Sequence, residues 1–322
     1  MHRAPAGGFR RVEFAVALSV VFFCGGMAAA AALSGGDEIM AHLGKLDGPL
    51  VAALLGLSLL NYASRTLRWH LYSHHLGMAV PLGRSALFYV AGFALTTTPG
   101  KVGEALRLWL MERSDGYRYE RTMPLLVADR VSDMGAMGVL LLFGLAGAAA
   151  HPLLLLVAVG GVSVMLVLAA RPQAAPRLVG AGYGLVGRWP RLFGRLRGAA
   201  RRTTALFTPR LFLLTLLLAV VGWLAECAAF ALVLRAFGAD IGLQAATLVF
   251  TAGMLVGAMT LVPGGIGGTE ATMLALLAVY GVGLDTAIPA TVVIRVTTLW
   301  FAVALGFAFM PPALRLARRA VP

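Results

Sequence analysis

Long apolar runs alternate with short polar connectors along the whole chain. Runs of this length match the hydrocarbon thickness of a bilayer, so each predicts a membrane-crossing helix. Residues 13–33, 49–72, 123–148, 153–170, 211–234 and 287–310 predict six spans. Two further apolar stretches are interrupted. Residues 82–98 and 102–111 flank Pro99-Gly100, and residues 243–262 and 266–280 flank Pro263-Gly264-Gly265. The pieces around the first break are too short for comfortable crossings, and each pair predicts a re-entrant hairpin. The pattern as a whole predicts an all-α polytopic membrane protein: about six full spans plus two re-entrant broken hairpins forming an inverted-topology repeat.

Composition agrees. Of 322 residues, 59% are hydrophobic and 13% charged, and mean hydropathy is +0.84, more apolar surface than a soluble domain of this size can bury. The net charge of +13 sits in clusters beside the apolar runs. That pattern suits anionic lipid headgroups and the positive-inside rule, and argues against nucleic acid as the partner. Basic clusters at the N-terminus, after the second span, in residues 171–210 and in the tail place both termini in the cytoplasm of a bacterial inner membrane. Residues 28–30 resemble a signal-peptide cleavage site, but the run before them is long for one, so an uncleaved first span is expected. Residues 171–210 hold nine arginines, no lysine and no acid, and read either as a surface-lying helix or as a solvated loop.

The breaks recur. Pro99-Gly100-Lys101-Val102-Gly103-Glu104-Ala105 echoes the stretch from Pro263 through Ile266-Gly267 to Glu270-Ala271. Arg130-Val131-Ser132 and Arg295-Val296-Thr297 follow at nearly the same distance, and His75-Leu76-Gly77 aligns with Ala236-Phe237-Gly238. That last offset sets Arg65 opposite Glu226. The chain therefore divides into an N-terminal span and loop (1–48), repeat one (49–148), a spacer span with an Arg-rich cytoplasmic linker (149–210), repeat two (211–310) and a basic tail (311–322). One spacer crossing between two even-crossing units turns the second upside down, the architecture of alternating access.

Candidate chemistry lies in the charges placed at membrane depth: Arg65, Arg68, Glu104, Arg107, Asp129, Arg130, Asp133, Glu226, Glu270 and Arg295. Each costs about 2.5–3.5 kcal/mol at bilayer centre, so they must pair or line a polar cavity. Asp129 and Asp133 share a helix face, and Arg130 can reach Asp133. Ion pairing that holds helices together is one reading of the set; a substrate site is the other. Arg130 and Arg295, one per repeat, are expected to converge on an anion, since arginine suits bidentate phosphate binding. The helices after Pro99 and Pro263 would aim N-terminal amides at the same place. Glu104 and Glu270 have three readings: neutralising that dipole, contacting a cationic headgroup, or carrying a proton. Lys101 is a substrate contact or a snorkelling side chain. The prolines and glycines of the breaks (Pro99, Gly100, Gly103, Pro263, Gly264, Gly265 and Gly267) supply the hairpin backbone. Trp69, Trp109, Trp223 and Trp300 are expected as interface anchors or packing. His70, His74 and His75 lack a completing ligand, so no metal is expected, and no motif calls for a cofactor.

These motifs, with Asp129-Arg130-Val131-Ser132-Asp133 and Arg295, resemble the lysylphosphatidylglycerol synthase transmembrane (flippase-like) family over nearly the whole chain. That family includes the membrane half of the multiple peptide resistance factor and stand-alone YbhN-like proteins. The resemblance implies movement of a lipid between leaflets. The larger relatives add an aminoacyl-transferase domain after this region. The present sequence ends at Pro322, so no enzyme activity is expected. Family members often carry Glu-Arg where this chain has Asp129-Arg130, and the Arg-rich linker has no counterpart in the resemblance. The expected function is translocation of a phosphate-bearing lipid by alternating access. The alternatives are a small-anion or proton-coupled secondary transporter, and a non-catalytic subunit of a lipid-modifying pathway, hopanoid synthesis included. Expected partners are membrane phospholipids and a separately encoded lipid-synthesis enzyme; oligomeric state is left open.

Overall fold

The computed structural model describes residues 44–98, 102–146, 190–260 and 262–319, with isolated positions between 159 and 184. The span at 13–33, most of the span at 153–170, and Pro99, Gly100 and Lys101 lie outside the described residues. Every regular element among those described is helical, and the protein is an all-α polytopic membrane protein.

Helix α1 (Gly48–His75) opens the first unit, with Asp47 accepting from the Leu50 N–H at 2.8 Å and so capping its start. Helix α2 (Leu82–Ala91) continues into a 3-10 turn (Gly92–Leu95), and α3 (Val102–Asp115) returns from the break. Helix α4 (Tyr119–Leu145) completes the unit. Helix α5 (Pro190–Thr204) follows and packs on α4, so residues 190–204 of the Arg-rich segment take the helical reading. The second unit runs α6 (Pro209–Ala236), α7 (Gly242–Met259), a 3-10 turn (Pro263–Gly265), α8 (Gly268–Val279), α9 (Leu284–Arg295), a π-helical turn (Val296–Trp300) and α10 (Phe301–Arg319).

The two units correspond in detail. Helices α1 and α6 are both 28 residues long. Both end in the same left-handed glycine cap, at Gly77 (φ 69°) and Gly238 (φ 93°). In each, the residue after the glycine donates back across the last turn: Met78 N–H to Ser73 O and Ala239 N–H to Leu234 O, both 2.9 Å. The sequence match at 75–77 and 236–238 is therefore a matched pair of helix stops. Helices α1 and α6 also make the largest helix–helix contact among the described elements, brought close where Gly222 faces Asn61 and Ser64.

Contacts between units are exchanged reciprocally. Helix α4 of the first unit packs on α7, with Gly144 against the backbone of Leu248. Helix α10 of the second unit packs on α2 and its 3-10 turn, with Gly306 against Ala94. Each closing helix thus lies on the other unit's hairpin.

Three expectations are adjusted. Helix α7 has 18 residues, about 27 Å of rise, enough by length and composition for a crossing; the second hairpin has one long arm. The sixth span is not a plain helix, because the π turn interrupts it just after Arg295. The expected basic tail from 311 is largely a continuation of α10, because Ala313 and Ala317 are buried in the first unit's core.

Candidate functional site

The second break is built on positive-φ glycines. Gly264, Gly265 and Gly267 take φ of 68°, 66° and 88°, where a side chain is disfavoured. The first break needs a small residue for another reason: a Cβ on Gly103 would collide with the carbonyl of Gly92, so only glycine lets the two arms of that hairpin touch. The two breaks meet. A Cβ on Gly264 would lie 3.4 Å from the Thr97 methyl, one residue before the segment that carries Pro99.

An arginine–glutamate pair flanks each break. Glu104, in the first turn of α3, lies 3.3 Å from Arg130 of α4. Glu270, in the first turn of α8, lies 2.6 Å from Arg295 of α9. Glu270 also accepts from the Gly267 N–H at 2.6 Å, so it neutralises the start of its helix. Arg295 donates from Nη2 to Gly264 O at 2.6 Å. This side chain latches the glycine turn to α8, and it is 2% exposed. Arg130 and Arg295 each lie against a glutamate in this structure. The carboxylate beside each offsets its charge; Arg295 is buried, whereas the Arg130 side chain is 37% exposed.

A second cluster joins α1 to α4. Arg68, fully buried, donates to Asp129 (2.9 Å from Nε) and to Asp133 (2.7 Å). Arg65 reaches Asp133 at 2.9 Å, and Arg130 lies 3.4 Å from the same carboxylate. The shared face of Asp129 and Asp133 is thus used as the spacing predicts. Tyr89 of α2 donates to Asp129 at 3.2 Å and accepts from Arg65 Nε at 3.4 Å. Trp223 of α6 donates its indole N–H to Asp133 at 3.1 Å, and the Arg65 guanidinium lies 5.1 Å from its ring.

Arg107 of α3 is buried differently. Its guanidinium lies 3.7 Å from the centre of the Tyr89 ring, 5.4 Å from Phe93 and 5.9 Å from Trp69. Its Nε and Nη1 have no hydrogen-bond partner among the described residues. The ring faces partly offset its charge through cation–π attraction but cannot satisfy those N–H groups. Glu226 of α6 is buried and makes no ion pair among the described residues; Asn61 faces it from α1, with Arg65 and Arg295 near.

Of the predicted site residues, Arg68, Arg107, Asp129, Asp133, Glu226, Glu270 and Arg295 are buried, Arg65, Glu104 and Arg130 are partly exposed, and Lys101 lies outside the described residues. Trp69 and Trp223 are not interface anchors: both are buried, one against Arg107 and the other on Asp133. Sequence reasoning missed Asn61 and Ser64 as the helix-contact face and Tyr62, which donates its hydroxyl to Thr298 O in the π turn. The polar residues in the second half of α1 were the available signal. Among the described residues no group of His, Cys, Asp and Glu is arranged to hold a metal ion.

The fold and site define a helical membrane protein in which two broken hairpins meet beside an internal network of arginines and carboxylates. Residues 13–306 match the family described as the lysylphosphatidylglycerol synthase TM region, and the chain belongs to that family. It is similar to a "UPF0104 membrane protein" of Methanothermobacter thermautotrophicus, 27% identical over 323 residues, covering 92% of this chain and 94% of that protein. A second match, to a UPF0104 membrane protein of the same organism, is 36% identical over 93 residues, 29% of this chain and 28% of that protein.

Proposed function

We propose that the protein is a lipid translocase that carries a phosphate-bearing lipid between the leaflets of the inner membrane, with both termini in the cytoplasm. The observation that carries this reading is the meeting of the breaks, Gly264 against Thr97, with an Arg–Glu pair beside each. Broken helices at corresponding places in two inverted halves mark the substrate site of many transporters. In this reading the units act as inverted-topology repeats whose rocking opens and closes that contact. Membership of a family named for lipid synthesis supports a lipid as cargo. The headgroup phosphate engages the arginines, Arg107 supplying its unpartnered N–H groups once α3 shifts, while the acyl chains stay in the bilayer. The Arg–Glu pairs hold the half-helix starts and open to the phosphate in turn. Membrane phospholipids are the proposed partners, and the protein acts as a carrier without chemical conversion.

The test is leaflet exchange of fluorescent phosphatidylglycerol in proteoliposomes, read by quenching of the outer leaflet. The native chain should exchange the label well above protein-free vesicles. Arg130→Ala with Arg295→Ala should fall to the protein-free rate, in material shown monodisperse after purification. Equal exchange by native protein and variant would overturn the role given to these arginines. Uptake of inorganic phosphate without lipid exchange would favour a small-anion carrier instead.

A further inference from the structure

The internal network holds five arginines, Arg65, Arg68, Arg107, Arg130 and Arg295, and five carboxylates, Glu104, Asp129, Asp133, Glu226 and Glu270. Four of the carboxylates lie at ion-pair distance from an arginine: Glu104 from Arg130, Asp129 from Arg68, Asp133 from Arg65 and Glu270 from Arg295. Glu226 differs. It is 5% exposed, and it is the member of the five that can change charge without breaking an ion pair.

The groups around it come from α1, α4 and α9, which pack on α6, and from α6 itself. Helix α1 presents Asn61, Tyr62 and Arg65; α4 presents Asp133; α9 presents Arg295; and Cys227 adjoins it on α6 itself. Helix α7 carries no titratable residue. Asn61 is an apt neighbour for a group with two protonation states. Its Nδ2 and Oδ1 are buried and make no regular hydrogen bond among the described residues. The amide nitrogen can donate to a carboxylate, and the amide oxygen can accept from a carboxylic acid. Either state of Glu226 finds a partner in the same side chain.

We propose that Glu226 is the proton-carrying group of the translocase, taking up one proton when a phosphate-bearing monoanion enters the site. This rests on the lipid-translocase reading. With Glu226 ionised, the five arginines and five carboxylates cancel. With Glu226 protonated, the network carries one net positive charge, and a phosphodiester restores neutrality. Charge imbalance in a low-dielectric interior is costly, so proton and anion each favour the other's binding, by reciprocal factors. The proton passes from water to a carboxylate oxygen of Glu226 and back; no other bond is made or broken. Anion and proton therefore cross together. The ion-paired Glu104 and Glu270 are left the structural task of holding the two half-helix starts.

The experiment is calorimetric titration of the purified full chain in detergent with short-chain phosphatidylglycerol, repeated in two buffers of different ionisation enthalpy. The expected result is uptake of about one proton per lipid bound and affinity that weakens up to about tenfold per pH unit as pH rises. Glu226→Gln, close in shape and unable to ionise, should bind without proton uptake and with a flat pH profile. Should that variant fail to fold, the native titration in the two buffers decides alone. Lipid binding without proton uptake, or uptake retained in Glu226→Gln, overturns this inference and leaves the translocase reading standing. A parallel titration with inorganic phosphate separates the two: proton-linked phosphate binding without lipid binding overturns the lipid reading while supporting Glu226 as the proton site. Absence of binding by either ligand overturns both.

Discussion

Arg68 shows what holds this network together. It has no solvent exposure, and its charge is met by two aspartates one helical turn apart on α4. Removing a partner from a buried ion pair typically costs about 3–5 kcal/mol, because the remaining charge is stranded. Asp129→Ala leaves Asp133 on Arg68, so it should destabilise the protein by less, about 1–3 kcal/mol for the buried donors left unsatisfied. The measurement is thermal unfolding of the purified protein in detergent, followed by loss of the monodisperse peak. A change smaller than about 1 kcal/mol, the worth of an exposed pair, would mean that Arg68 is not desolvated as described. The spacing of Asp129 and Asp133 was legible because i,i+4 is a property of one helix. The roles of Tyr89, Trp223 and Asn61 were not, because each depends on a neighbour far away in the chain: Tyr89 is 40 residues from Asp129, and Trp223 is 90 from Asp133. The recurrence of Arg130 and Arg295 is legible in the sequence, but the glutamate against each is not, because it comes from another helix.

At the scale of elements, the breaks were the most legible feature. Proline and glycine clusters cannot continue a lipid-facing helix, so a hairpin is the remaining solution. Helix α3 begins at Val102 and α8 at Gly268, each a few residues beyond its proline. The π turn was hidden, because Val296-Thr297-Thr298-Leu299-Trp300 is ordinary helical sequence. It is stabilised by contacts from elsewhere, the Tyr62 hydroxyl bonding Thr298 O, and by Thr297 and Thr298 donating to carbonyls one turn back. Gly103 tests the first hairpin. Its φ is not positive, so alanine is tolerated by the local backbone and the effect isolates the close approach to Gly92. Overpacking at such a site typically costs about 1–3 kcal/mol. Gly103→Ala should lower the melting temperature and slow lipid exchange together, while Gly56→Ala, on α1 with nothing near its Cβ, should do neither. Unchanged exchange and stability in Gly103→Ala would show that the two arms do not touch as described.

At the scale of the molecule, the reciprocal packing of closing helices on opposite hairpins ties the two units into one body. Motion of either hairpin is felt by the other unit's helix, α4 through Leu248 and α10 through Ala94. The approach of Gly264 to Thr97 is then a contact that a rocking carrier must break, and a covalent tie there should stop it. Thr97 and Gly264 are close enough for such a tie: the Thr97 methyl, whose place a cysteine sulfur can take, would lie 3.4 Å from a Cβ on Gly264, near the roughly 3 Å that separates a disulfide sulfur from the far Cβ. A cysteine at the left-handed Gly264 costs about 1–2 kcal/mol in backbone strain, less than the usual net stability of a folded protein. In a background with Cys24 and Cys227 replaced by alanine, Thr97→Cys with Gly264→Cys should form the bond under mild oxidation. Lipid exchange should then fall to the protein-free rate and return on reduction, and each single cysteine should be insensitive to oxidant. Full exchange with the bond quantitatively formed would mean that the tips stay together throughout the cycle, and the moving part would have to be sought at the α1–α6 contact instead.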